Sequence, residues 1–63
     1  MENNIAHYRR LRGLSQERLA HLLGTSRQQL SEWERGLKIP RVDAAIEIAR
    51  VLGCSVEDIF LPR

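Results

Sequence analysis

Residues 16–36 read QERLAHLLGTSRQQLSEWERG, and the spacing of small and apolar residues in this stretch predicts two short helices. Ala20 is small, as suits a position where one helix crosses another closely. Gly24 follows four residues later, where a left-handed backbone is needed to turn the chain. Leu30 and Trp33 are three residues apart and therefore share one face of the second helix. The segment predicts a helix-turn-helix.

The helices of this motif have recognisable starts. Ser15 is suited to cap the first of them, and Ser26, with Gln29 three residues later, to cap the second, which ends near Arg35. The exposed face of the second helix is polar, because its first turn carries Arg27 and two glutamines. The helix between Ser15 and the turn is predicted to bury Leu19, Ala20 and Leu23.

Helical periodicity continues on both sides of the motif, and no segment alternates as a strand does. A helix is predicted over residues 2–12, ended by Gly13. Its inward side chains are Ile5, Tyr8 and Arg9. Residues 37–41 form a loop because Pro40 lacks an amide hydrogen and disfavours helix at the residue before it.

The C-terminal third of the chain predicts two further helices. One spans residues 42–52 and ends at Gly53. Its inner face is predicted to comprise Val42, Ala45, Ile46, Ala49 and Leu52. A last short helix is capped by Ser55, with Asp58 at the matching position, and packs back through Val56, Ile59 and Phe60. Residues 1–63 are thus expected to form one all-α domain of five helices.

Length and composition exclude several classes of protein. A chain of 63 residues buries only about 60 % of its unfolded surface, which leaves little room for a substrate cavity. A single cysteine, Cys54, excludes an internal disulfide and a cysteine-cluster metal site. His7 and His21 lack partners at metal-ligand spacing, and no set of serine, cysteine or carboxylate residues suggests catalysis. We expect neither enzyme activity, nor a metal, nor a cofactor.

The sequence also predicts a cytoplasmic protein with no membrane partner. No apolar run approaches the ~20 residues that span a bilayer, and no signal segment begins the chain.

Charge is distributed unevenly along the chain. The net charge is +2, but residues 1–41 carry eight basic and four acidic side chains, whereas residues 42–63 carry two and four. Nine of the ten cations are arginine, which pairs bidentately with phosphate and guanine. An arginine-rich surface by itself is equally consistent with simple solvation. It favours nucleic-acid binding here because the basic part contains the helix-turn-helix.

Several short motifs together resemble the helix-turn-helix domain of the phage Cro and repressor proteins, the XRE family. They are RGLSQ (12–16), LAHLLG (19–24), SRQQL (26–30), WERG (33–36), IPR (39–41) and IARVLGCSVEDIF (48–60). The resemblance covers about residues 5–60. It implies a compact five-helix, lambda-repressor-like DNA-binding domain whose recognition helix spans about residues 27–35.

The same resemblance implies a function. Such domains regulate transcription by binding double-stranded DNA in a sequence-specific way. The simplest form is a nucleoid-associated repressor that binds a near-palindromic operator as a homodimer through the major groove. The sequence names neither the operator nor a small-molecule effector.

The N-terminal end of the recognition helix is the part that enters the major groove in this motif. Arg27 and Gln28 lie there, and Arg pairs with guanine O6 and N7 whereas Gln pairs with adenine N6 and N7. Polar residues at a helix start also serve merely to cap it. Gln29 and Glu32 lie further along or around the helix. Glu32 either accepts from cytosine N4 or only repels phosphate and tunes the register.

A second set of residues is predicted to contact the DNA backbone. These are Gln16, Ser15, Ser26, Ser31, Lys38, Arg41 and Arg10, with Arg12 as a further cation. Gln16 begins a helix, where free amides favour a phosphate. By resemblance it also braces the first recognition residue. Lys38 and Arg41 lie in the loop after the recognition helix, Arg41 near the minor-groove edge.

Two further sets follow from the resemblance. Arg9 and Glu34 are expected to form a structural ion pair rather than to read DNA. Val56, Phe60 and Leu61 are candidates for the dimer surface, although Phe60 is also a core candidate. Trp33 is expected in the core rather than stacked on a nucleotide.

An alternative function remains open, that of a protein-interaction module such as an antitoxin or an accessory subunit. Leu11, Leu22, Leu37 and Ile39 fall where related proteins often carry polar residues. Leu22, Leu37, Ile39 and Leu61 are the side chains expected to seat a protein partner.

Overall fold

A computed structural model describes residues 2–60, which contain five α-helices and no strand. The helices are α1 (Ile5–Leu11), α2 (Gln16–Leu23), α3 (Arg27–Glu34), α4 (Val42–Leu52) and α5 (Val56–Phe60). The predicted all-α, five-helix architecture is confirmed. Within residues 2–60, every helix is too short or too polar to cross a membrane.

All five helices contribute to one core. Its buried members are Ile5, Leu19, Ala20, Leu30, Trp33, Ile48, Ala49, Leu52 and Ile59. Full burial of one such large apolar side chain stabilises the fold by about 1.5–3 kcal/mol. Because Leu30 and Trp33 are both buried, one face of α3 is held against the core. The opposite face is therefore directed to solvent.

The turn between α2 and α3 is closed by backbone hydrogen bonds. Gly24 has φ 70°, in the left-handed region. The N–H of Thr25 donates to Ala20 O at 3.0 Å, and the N–H of Gly24 donates to His21 O at 3.1 Å. This pair of bonds is a Schellman motif, which ends a helix by satisfying its last carbonyls. The helices α1, α3 and α4 end in the same way.

Three helices begin with a serine cap, as predicted. Ser15 Oγ accepts a hydrogen bond from the Arg18 N–H, and Ser26 Oγ accepts one from the Gln29 N–H. At α5 the arrangement is reciprocal, because Ser55 and Asp58 each accept from the backbone N–H of the other. Each cap satisfies amides that have no partner within the helix.

The predicted start of the first helix at residue 2 is wrong, since α1 begins at Ile5. Asn3 and Asn4 instead connect α1 to distant elements. Asn3 Oδ1 accepts from the Ile5 N–H, and Asn3 Nδ2 donates to Trp33 O at 2.7 Å. The Asn4 N–H donates to Ile59 O at 2.7 Å. Asparagine side chains compete with helical hydrogen bonds. Here the Asn3 side chain and the Asn4 backbone hold α1 against α3 and α5.

The predicted inner face of α4 is also partly wrong. Val42 and Ile46 are 76 % and 53 % exposed, whereas Ile48, which was left out of that face, is fully buried. The buried stripe runs through Ala45, Ile48, Ala49 and Leu52. Apolar residues cover more than one face of this helix, so its sequence is compatible with two overlapping stripes. Packing against α1, α2 and α5 selects one of them.

Candidate nucleic-acid interface

The first turn of α3 presents the main candidates for base recognition. Arg27 and Gln28 are both exposed; Gln28 lies on the side away from buried Leu30 and Trp33, whereas Arg27, three residues before Leu30, lies at the edge of the buried face. Gln29, Ser31 and Glu32 are half-buried and flank this turn. The structure thus brings the four predicted base-contacting residues onto one helix, with Arg27 and Gln28 the most accessible.

The capping serines lie at the starts of the two helices of the motif. Ser15 and Ser26 are exposed, and their hydroxyl oxygens accept the capping bonds. A hydroxyl has one hydrogen to donate as well as lone pairs to accept with. Capping therefore leaves each serine able to donate to a phosphate oxygen.

Glu34, at the end of α3, joins three helices. Arg9 of α1 donates to it through Nε, 2.7 Å from Glu34 Oε2, and also donates through Nη1 to Leu14 O at 2.8 Å. Gln16 of α2 donates through Nε2 to Glu34 Oε1 at 2.9 Å. The Arg9 and Glu34 side chains are only 11 % and 6 % exposed. This network sets the start of α2 against the end of α3.

The position of Gln16 differs from what the resemblance implies. Its amide nitrogen is hydrogen-bonded to Glu34, at the opposite end of α3 from Arg27 and Gln28. In the structure, Gln16 braces the recognition helix through its C-terminal end. Its contact with the DNA backbone stays a prediction.

The loop after α3 places a cation beside the recognition helix. Lys38 Nζ lies 3.4 Å from Glu32 Oε1, with the two side chains 60 % and 21 % exposed. The Leu37 N–H donates to Glu32 O at 2.9 Å, so the backbone holds the loop against the end of α3. Arg41 is exposed at the start of α4. Lys38 therefore offsets the negative charge of Glu32 near the polar face.

Arg10 in α1 and Arg12 just after it differ in their surroundings. Arg10 is exposed. Arg12 Nε donates to Leu52 O at 2.7 Å and so satisfies a carbonyl at the end of α4. Arg12 therefore has a role within the fold in addition to the cationic role predicted for it.

Arg35 is a candidate that the sequence reasoning missed. It is exposed and retains helical dihedral angles, φ −82° and ψ −3°. It follows Gln28 by seven residues and Ser31 by four, so it continues the same outward stripe by about one turn. The spacing from Gln28 was the available signal. The sequence predicts the end of the helix near Arg35, which hides this continuation of the stripe.

Three groups with shifted pKa values, Glu47, Arg50 and Cys54, lie on α4 and just after it. The side-chain hydrogen bond between Glu47 and Arg50 lowers the pKa of Glu47 and raises that of Arg50. Burial raises the pKa of the Cys54 thiol, and nearby Asp58 raises it further. The Glu47–Arg50 pair is thus charged at neutral pH, whereas the thiol is protonated.

The predicted dimer residues are only partly accessible. Val56 and Phe60 are half-buried and pack against the core. Leu61 lies outside the described residues. The accessible apolar area on α5 is therefore smaller than the sequence suggests.

Comparison with known proteins bears on this geometry. The helix-turn-helix family model matches residues 5–59. The chain belongs to this family. The predicted XRE resemblance is confirmed, and this helix-turn-helix protein is a DNA-binding transcriptional regulator.

Relatives of this helix-turn-helix protein occur in archaea and bacteria. It is 43 % identical to an HTH-type transcriptional regulator of Methanocaldococcus jannaschii over 97 % of this chain and 92 % of the relative. It is 40 % identical to one of Sinorhizobium fredii, over 95 % of this chain and 78 % of the relative.

Solved structures show the same fold. SinR, the master regulator for biofilm formation, was solved in complex with DNA; the chain in that structure is 33 % identical, with a TM-score of 0.77 over 84 % of this chain and 86 % of that one. A hypothetical transcription factor from Neisseria is 30 % identical, with a TM-score of 0.85 over 94 % of this chain and 68 % of that one.

Proposed function

We propose that this protein represses transcription by binding a near-palindromic operator as a dimer, with α3 in the major groove of each half-site. The observation that carries the proposal is the exposure of Arg27 and Gln28 in the first turn of α3, over the buried Leu30 and Trp33. The core fixes the rotation of the helix, so Gln28 is held on its outer face, and Arg27 is exposed beside it at the start of the helix. SinR, which shares the fold, was solved in complex with DNA.

Base recognition is assigned to the outward stripe of α3. Gln28 is suited to adenine and Arg27 to guanine, and each bidentate pairing contributes roughly 1–3 kcal/mol of discrimination. Gln29 and Glu32 are secondary readers because they are half-buried. Arg35 extends the stripe beyond Glu32 and suits either a guanine or a phosphate.

Backbone contacts are assigned to residues around that stripe. Gln16, Ser15, Ser26 and Ser31 supply uncharged donors, and Lys38, Arg41 and Arg10 supply cations. Such contacts set the register of the protein on the duplex without reading sequence. A two-fold symmetric dimer places equivalent half-sites one helical turn apart, about 34 Å. The bound dimer would then exclude polymerase from the promoter.

The test is selection of bound sequences from a random duplex pool. We expect an enriched, two-fold symmetric motif for the wild type. Gln28→Ala should lose preference at one position in each half-site, because alanine cannot pair with a base edge. Glu57→Ala serves as control, since Glu57 is exposed on α5, away from the recognition helix. It should retain the wild-type motif.

Two outcomes count against the proposal. If no sequence is enriched from the pool, the proposal of sequence-specific DNA binding is wrong. An unchanged motif for Gln28→Ala removes Gln28 from base recognition.

A second candidate function is that of an antitoxin or accessory subunit that binds another protein. The supporting observation is the exposure of Leu22, Leu37 and Ile39. SinR has also been solved in complex with the SinI protein. A protein partner that stays bound at a salt concentration that abolishes DNA binding would favour this function. Leu61, the fourth residue predicted for that surface, lies outside the described residues.

A further inference from the structure

The outer face of α4 exposes two large apolar side chains one helical turn apart. Val42 and Ile46 are four residues apart, so they are neighbours on the same face. Ile39, just before the helix, is exposed as well. Single exposed apolar residues are common on protein surfaces, but a group of large ones indicates a contact surface. Packing of the inner face of α4 leaves this group without a cover in the described chain.

Charged residues flank Ile46 on this face in a symmetric way. Asp43 lies three residues before it and Arg50 four residues after it, each about one turn away. Arg50 binds Glu47 of its own chain through Nε and Nη2, which leaves Nη1 unused. Asp43 makes no ion pair or side-chain hydrogen bond within residues 2–60.

We propose that a second copy of this chain binds this face, with the two α4 helices antiparallel about a two-fold axis near Ile46. Antiparallel pairing about that axis brings Ile46 against the partner's Ile46. It also brings each Asp43 opposite the partner's Arg50, so one complementary pair forms twice. The unused Nη1 of Arg50 supplies the donor. The surface is named the α4 face and comprises Val42, Asp43, Ile46 and Arg50.

The charges favour a second copy over other occupants. Within the α4 face, Asp43 balances Arg50, so two such faces approach without net repulsion. A nucleic acid would require a net positive surface here. The inference adds a contact surface to the proposed function, and it rests on that function for what the dimer does. It places the dimer contact on α4 rather than on Val56 and Phe60.

The test is sedimentation equilibrium of the full chain without DNA, over micromolar to millimolar concentrations. Ile46→Glu should weaken dimerisation at least tenfold, because it places two carboxylates at the symmetry axis. Leu11→Glu is the matched control. Leu11 is 59 % exposed, but it lies at the end of α1, and the adjacent Arg12 contacts Leu52 at the far end of α4. It should dimerise as the wild type does.

A charge exchange tests the proposed orientation. Asp43→Arg and Arg50→Asp alone should each weaken dimerisation, whereas the double variant should recover most of it, with thermal unfolding measured alongside. A wild type that is monomeric at millimolar concentration overturns the inference. Unimpaired dimerisation of Ile46→Glu, or no recovery in the double variant, overturns it equally.

These results are separable from the proposed function. A dimer that selects no DNA sequence removes the operator function and leaves the α4 face in place. A monomer that still enriches a DNA motif overturns the α4 face as a dimer contact and leaves sequence-specific DNA binding in place.

Discussion

At the scale of single residues, Glu34 links α3 to two other helices. Its carboxylate accepts hydrogen bonds from Arg9 of α1 and from Gln16 of α2. The side chain is almost entirely buried, so a substitution that removes its carboxylate leaves the donors of Arg9 and Gln16 without an acceptor, in a place that little water reaches. Arg9 would then be a buried cation without a counterion, which is costly.

We therefore predict that Glu34→Gln lowers the free energy of unfolding by about 3–5 kcal/mol. Glu32→Gln is the matched control, since it makes the same change on the same helix. Its partner Lys38 is well exposed, so the loss there should stay within about 1 kcal/mol. Urea denaturation followed by circular dichroism measures both. Equal losses for the two variants would mean that the Arg9–Glu34 pair contributes no more than a surface pair.

The environment and role of a residue were predictable from the sequence where its interactions are local. The exposure of Gln28 follows from its spacing relative to Leu30 and Trp33, and Arg27 is exposed at the first position of α3. The roles of Asn3 and Arg12 were not predictable, because their partners Trp33 and Leu52 lie 30 and 40 residues away. Nothing in local spacing indicates which distant carbonyl a side chain will meet.

At the scale of elements, the helix ends depend on a few residues with special backbone geometry. Gly24 has φ 70°, and a Cβ added there would meet nothing within 4 Å. The cost of a side chain at this position is therefore confined to the backbone. This makes the turn between α2 and α3 a clean test of conformational strain.

We predict that Gly24→Ala destabilises the protein by about 1–2 kcal/mol, the cost of a left-handed backbone for an L-residue. Gly24→Asn should cost less, because asparagine adopts this conformation more readily. Thermal unfolding of the two variants provides the comparison. A neutral Gly24→Ala would show that residue 24 is not left-handed in solution.

The elements also show where periodicity is insufficient. As predicted, α2 begins after the capping Ser15 and ends at Gly24. The buried face of α4 was partly misassigned, because Val42 and Ile46 are as apolar as the residues that pack inward. The choice between two apolar stripes depends on the helices that surround α4.

At the scale of the whole molecule, the basic and the acidic parts of the chain correspond to different sets of helices. The basic part of the chain, residues 1–41, contains α1 to α3 and the loop with Lys38. The more acidic part contains α4 and α5. Such a division concentrates positive potential around the recognition helix, which speeds encounter with DNA and makes binding salt-dependent.

We predict that Lys38→Ala weakens binding to every DNA sequence. It should reduce the slope of log binding constant against log salt concentration by about 0.9 for each subunit bound. Gln28→Ala should lower affinity for the operator but leave this slope unchanged, because glutamine is uncharged. Fluorescence anisotropy titrations at several salt concentrations measure both. A wild-type slope for Lys38→Ala would exclude a phosphate contact.

The sequence alone determined the helix content, the ends of most helices and the polar face of α3. These features depend on capping hydrogen bonds, backbone preferences and periodicity, all of which act within a few residues. The tertiary structure decided which stripe of α4 is buried, how Asn3 and Asn4 hold α1, and that Gln16 pairs with Glu34. Those features depend on contacts between residues far apart in the chain, whose geometry exists only once the helices have packed.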